Sequence, residues 1–231
     1  MKMNQKLTIV LAAAVIFGAS AAQATLFSYD FSSFTTTNIP DGNPAGWANS
    51  QSISGISNPG EFGPTSVIGD VNVRLTLSGG YNGDLYGYLL LNDGVNTVMT
   101  VLLDRVGQGT GSQPVTSFGY GDSGMNVTFS SVGVTNIHYY QQVTGWQTNI
   151  LNGSAWKPDG GDLTTFNGKS GNGTWTLFLA DMSGGSVSSV TSWGLDINVV
   201  PEPVTVALGG FGVLVAAAGL ARWHKRRTAK Q

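Results

Sequence analysis

Between residues 25 and 200 the chain has one imidazole, His138 in Asn-Ile-His-Tyr-Tyr. A Ser-His-Asp hydrolase would have to be built around it, with a carboxylate orienting the ring and the ring activating a serine. The closest nucleophile context is Gly121-Asp122-Ser123-Gly124, which reads as a turn, and there is no Gly-x-Ser-x-Gly elbow. Catalysis is therefore not expected. His138 is expected in a strand, partly covered by Tyr139 or Tyr140. A transition-metal site is improbable with one histidine and no cysteine. Calcium takes oxygen ligands, and Asp84, Asp93, Asp122, Asp159, Asp162 and Asp181 stand in oxygen-rich turns that could hold a structural ion. No run matches an EF-hand loop, and the plainer role for each Asp is to shape its turn.

Trp47, Trp146 and Trp156 lie in loop-like contexts, where an exposed indole could stack on a sugar. Trp175 and Trp193 sit in strand patterns and read as core. Charge narrows the ligand classes. From Thr25 to Val200 four basic residues face twelve acidic ones, a formal charge of −8. Such a body repels phosphate backbones, so nucleic acid is not an expected partner. With no cysteine, no disulfide supports the fold, and stability must come from an ordinary core.

Other chemistry is done to the chain. Lys2 and Lys6 precede the apolar run Leu-Thr-Ile-Val-Leu-Ala-Ala-Ala-Val-Ile-Phe-Gly-Ala, and Ala22-Gln23-Ala24 supplies the small residues that signal peptidase prefers. Residues 1–24 read as a signal peptide, with Thr25 as the new N-terminus. At the other end, Pro201-Glu202-Pro203 should break any structure running in from the last strand and hold the chain extended. Residues 204–221 carry no charge and read as a transmembrane helix, short of the ~20 residues usual for a span. Arg222, Lys225, Arg226 and Arg227 follow and would stay in the cytoplasm, with the body outside. This order of tripeptide, span and basic tail, covering residues 200–231, resembles the PEP-CTERM sorting signal of Gram-negative bacteria. The resemblance implies an exosortase, a membrane enzyme, as the processing partner. It also implies an inner-membrane-anchored precursor with a periplasmic body, bound for the cell envelope or extracellular polysaccharide matrix.

The elements between the termini follow a period of two. Val71, Val73, Leu75 and Leu77 fall on one face of their segment, Asn72, Arg74 and Thr76 on the other. Trp175, Leu177 and Leu179 alternate with Thr174, Thr176 and Phe178, and Trp193, Leu195, Ile197 and Val199 repeat the pattern. Tyr-Gly-Tyr-Leu-Leu-Leu and Thr-Val-Met-Thr-Val-Leu-Leu are more uniformly apolar and read as interior strands, joined by the Leu91-Asn92-Asp93-Gly94 turn. The 33 glycines are about twice the usual ~7% and suit many tight turns. The expected fold is an all-β sandwich of jelly-roll type.

The order of these pieces, Ile-Pro-Asp-Gly-Asn-Pro-Ala-Gly, then the Gly83-Asp84-Leu85 turn, Phe166 with Gly168, Gly173 to Leu177 ending in Asp181, and Ser192-Trp193-Gly194-Leu195, resembles the P-domain (P/Homo B) of subtilisin-like proprotein convertases. That likeness spans residues 39–199 and implies a jelly roll that stabilises a protease. It departs from the family where Ser-Gly-Gly-Tyr-Asn precedes Gly83 in place of the usual histidine, and where Ser130 and Ser131 replace an acidic pair. Residues 25–38 form a separate lead-in to the sandwich. The resulting expectation is an exported, non-catalytic sandwich. The alternatives are a carbohydrate-binding module for extracellular polysaccharide and a module stabilising a separately encoded protease.

Overall fold

The computed structural model describes residues 24–57, 66–109, 116–133, 135–144, 154–201, 211–212, 214–220 and 222. Nine strands are described: β1 Thr25–Phe31, β2 Asn43–Ile53, β3 Ser66–Gly79, β4 Leu85–Asn92, β5 Thr97–Asp104, β6 Met125–Phe129, β7 Ser154–Trp156, β8 Gly173–Asp181 and β9 Ser188–Pro201. They form a five-stranded sheet in the order β1-β9-β3-β6-β7 and a four-stranded sheet in the order β2-β8-β4-β5. Every pairing is antiparallel except that of β6 with β7. The all-β sandwich expected from the alternation is what the chain builds.

The sheets meet along the predicted faces. Val71, Val73, Leu75 and Leu77 of β3 and Leu195, Ile197 and Val199 of β9 are buried, as are Leu89 and Leu91 of β4 and Trp175, Leu177 and Leu179 of β8. Removing this much apolar surface from water is the main drive to the fold, since no covalent crosslink assists it. Trp175 lies tilted against Phe166, ring centroids 5.3 Å apart, and both indoles of the strand core find acceptors: Trp175 Nε1 on the Gly171 carbonyl and Trp193 Nε1 on Asn49 Oδ1. The Asn92–Asn96 turn joins β4 to β5 as expected, with Asp93 Oδ1 accepting the Val95 amide.

One expectation about the strands changes. The apolar Thr-Val-Met-Thr-Val-Leu-Leu segment is β5, an edge strand, not an interior one. Its free edge is covered by the loop after β7: the Asp159 amide donates to the Leu102 carbonyl, Asp159 Oδ2 accepts the Asp104 amide, and Thr100 Oγ1 donates to the Asp162 carbonyl. A covered edge can be as apolar as a central strand. Pro201 is the last residue of β9, opposite Ser66 of β3, while Glu202 and Pro203 lie outside the described residues.

The sandwich also runs past the expected 39–199. β1 pairs with β9 from Thr25↔Val199 to Phe31↔Trp193, so the lead-in segment is an edge strand of the five-stranded sheet. The signal-peptide residues 1–23 lie outside the described residues, as do 204–210 of the expected span. Residues 211–212 and 214–220 are helical and exposed. No helix among the described residues is long and apolar enough to cross a membrane.

Candidate functional site

His138 sits in a 3₁₀ turn, Ile137–Tyr139, rather than in a strand. Asn136 caps that turn by accepting the His138 amide. Both ring nitrogens are engaged: Nε2 lies 3.0 Å from the Gln108 carbonyl and Nδ1 lies 2.9 Å from Asp159 Oδ2. A carbonyl only accepts, so Nε2 carries a proton. Nδ1 and Asp159 then share one more proton between them. The two side chains are 14% and 7% exposed, and burial pushes the Asp159 carboxyl up, opposed by its hydrogen bond to His138. A general base needs a free lone pair facing a substrate proton. This imidazole has none, and it instead ties together the turn after β5, the 3₁₀ turn and the loop after β7.

The Asp122 of the Gly-Asp-Ser-Gly run is not near that pair in any hydrogen bond. Its Oδ2 accepts from Tyr140 Oη at 2.6 Å and from Gln141 Nε2 at 2.7 Å. Tyr140 also accepts from Asn82 Nδ2, and Tyr120 packs edge-on against it with centroids 4.9 Å apart. Burial, with Tyr139 and Asp122 nearby, pushes the Tyr120 phenol up to about 12, and burial raises Tyr140 as well. Tyr140 is the fixed donor of the pair, while the Tyr120 hydroxyl is buried with no hydrogen-bond partner among the described residues. The arrangement is a structural plug between the turn before β4 and the segment before β6.

A second gathering forms where three strands end together. The register sets Asp181, the last residue of β8, opposite both Asn43 of β2 and Leu85 of β4. Asp41 and Asp84 flank those partners. Asp181 is fully buried, its Oδ1 accepting the Ser183 amide and its Oδ2 without a well-formed hydrogen bond among the described residues. Asp41 accepts the Gly185 amide, and the Asp84 carbonyl accepts the Met182 amide. Arg105 Nη2 donates to Ser183 Oγ at 2.9 Å and stands 4.0 Å from Asp84 Oδ1. Desolvation raises the carboxyls of Asp84 and Asp181; Ser183 and Arg105 pull Asp84 back down, and neighbouring carboxylates push both up.

Of the six aspartates named as candidate calcium donors, the structure brings Asp84 and Asp181 together. Asp93 shapes the β4–β5 turn, Asp162 caps the 3₁₀ turn at Leu163–Phe166, Asp159 holds His138, and Asp122 holds Tyr140. Among the described residues, no three histidine or acidic side chains are placed to hold a metal ion together. Asp41, Arg105 and Ser183 went unnoticed in the sequence, because only strand register makes them neighbours. The indoles proposed for sugar also move. Trp47 is in β2 and Trp156 in β7, 7% and 2% exposed, while Trp146 lies outside the described residues. Ala24 is exposed and Thr25 opens β1; Pro201 closes β9 and Arg222 is helical and exposed. Ala22, Glu202, Pro203, Lys225, Arg226 and Arg227 lie outside the described residues.

The chain matches no family model, and no curated protein matches it. Among solved structures it is similar to the complex of the Aeromonas sobria serine protease with its chaperone, with a TM-score of 0.45 and 14% identity over 78% of this chain. It is similar also to the serine protease of Aeromonas sobria, with a TM-score of 0.43 and 13% identity over 76% of this chain. It spans 27% of the length of each of those chains. Neither likeness is close enough to assign a role.

Proposed function

We propose that this chain is an exported, non-catalytic β-sandwich with a P-domain-like body. Signal peptidase releases it at Thr25, a C-terminal span of residues 204–221 holds it in the inner membrane, and an exosortase-type enzyme processes it at Pro201-Glu202-Pro203. Its destination is then the cell envelope or the extracellular matrix of a Gram-negative bacterium. One observation carries the reading. Among the described residues the first strand opens at Thr25 and the last runs to Pro201, and the two are paired, Thr25 against Val199. The two processing sites inferred from the sequence therefore border the described strands closely, and neither cut would remove a described core residue. The engagement of both His138 nitrogens supports the non-catalytic part.

Intact-mass analysis of the protein from cells with and without the sorting enzyme tests the proposal. The expected mature species starts at Thr25 in both, and loses the mass of the residues beyond the Pro-Glu-Pro region only when the enzyme is present. A mature protein that retains residues 1–24, or an identical C-terminus in both strains, would overturn it.

A further inference from the structure

The two outer faces of the sandwich differ in charge. On the five-stranded sheet, Arg74 bridges Asp30 at 2.9 Å and Asp196 at 3.1 Å, and Asp70 accepts a hydrogen bond from Ser131. The four-stranded sheet is different. No charged residue occurs in 48–52 of β2, 86–92 of β4, 97–101 of β5 or 174–180 of β8. Asp104 stands at one corner, opposite Tyr86.

Rings and hydroxyls occupy this uncharged surface. Phe178 and Tyr88 are cross-strand partners on the outward side, stacked with centroids 4.8 Å apart and planes 18° from parallel. Tyr86, two residues along, sets its ring edge-on to Tyr88 at 6.4 Å. Phe178 lies over the β2 bulge, where a Cβ on Gly46 would fall 2.7 Å from the ring. In the next row Ser50 and Thr176 bring their hydroxyls to 2.7 Å, and Ser52 and Thr174 pair beyond them. At the β5 margin the face runs into an open cleft of about 450 Å³, with Met99 and Val101 on one side and Asp162, Thr164 and Thr165 on the other.

We propose that this face and its cleft bind a neutral polysaccharide laid across β2, β8, β4 and β5. A sugar ring is apolar on its C–H faces and polar at its rim, which matches tyrosine rings beside hydroxyl rows and a cleft with a few polar groups. Neutrality follows from charge. A body of formal charge −8 repels a polyanion, and this face has no cation to pair with a uronate or sulfate. The inference gives the envelope reading a ligand class but rests on the body alone; it would stand if the intact-mass test failed.

Frontal affinity chromatography of the full chain tests it, in a zwitterionic detergent without a sugar headgroup, on immobilised neutral glucan and galactomannan, with alginate for comparison. Retention is expected on at least one neutral polymer, unchanged in high salt, and absent on alginate. Tyr88→Ala and Ser50→Arg should each weaken retention by about tenfold or more. Ser50 is exposed, so Ser50→Arg should keep the wild-type melting transition, and Leu26→Ala on the opposite sheet should change nothing. No retention on either neutral polymer, retention that salt abolishes, or full retention in Ser50→Arg overturns the proposal. So does a dimer that Ser50→Arg dissolves, which would assign the face to a second copy of the chain.

Discussion

At Asp159 and Asp181 carboxyl groups are buried, and their consequences are local and measurable. Asp159 completes a clamp whose other end is a carbonyl, so the clamp needs a proton between Asp159 and His138. Asp159 Oδ2 also accepts the Asp104 amide, so the amide of Asp159→Asn can satisfy either an unprotonated Nδ1 or that backbone N–H from this position but not both, and should cost about 1 kcal/mol. Asp159→Ala leaves Nδ1 and the Asp104 amide without a partner and should cost about 2–3 kcal/mol in urea unfolding. Asp181 is the opposite case, since burial and the nearby Asp84 and Asp41 carboxylates push its carboxyl up against the pull of the Ser183 and Gly42 amides. Asp181→Asn removes the charge but keeps an acceptor for the Ser183 amide. It should raise the melting temperature at neutral pH by roughly 2–4 °C, about 1 kcal/mol for a domain of this size, and give no gain at acid pH. Hydrogen bonds of this kind were not legible beforehand. A solitary histidine and scattered aspartates are visible in any sequence, but Asp159 lies 21 residues from His138 and Gly185 lies 144 residues from Asp41.

Between elements, the strands followed their alternation closely and the edges did not. The faces of β3, β8 and β9 were readable because a period of two separates a buried side from a wet one. β5 was misplaced because a loop covers its edge, and a covered edge leaves no polar mark on the strand itself. The turn before β4 shows the same dependence on a neighbour. The Gly83 amide donates to the Tyr120 carbonyl, and a Cβ on Gly83 would lie 2.4 Å from the Tyr120 nitrogen. Nothing flexible can yield there, because the obstacles are backbone. Gly83→Ala should therefore cost about 3 kcal/mol or more by the overpacking it imposes, read as a lower denaturant midpoint with an unchanged slope. A midpoint within error of wild type would mean that the 119–120 segment moves freely.

For the molecule as a whole, the pH profile of stability follows from which carboxyls burial has shifted. Asp84, Asp159 and Asp181 are raised, each chiefly by desolvation. A carboxyl whose folded value exceeds its unfolded one adds stability that is fully present below the unfolded value and is lost as pH rises through the folded one. Asp93 is lowered: desolvation, its largest single influence, pushes it up, but the hydrogen bonds from Asn96, Val95 and Ser170 together outweigh it. Its contribution is lost as pH falls through its folded value. The melting temperature should thus rise as a neutral solution is acidified toward the ordinary aspartate range and fall once pH drops below that range; a monotonic fall on acidification would contradict the shifts. The amino-acid order alone settled that this chain is a sandwich with an acidic body and no disulfides, because alternation, composition and cysteine count are local properties that need no partner. Tertiary structure decided which aspartates meet, that His138 is clamped, that the indoles at Trp47 and Trp156 are interior, and that one sheet face is free of charge. Those depend on strand register and sheet order, which join residues far apart in the chain and leave no signature at any single position.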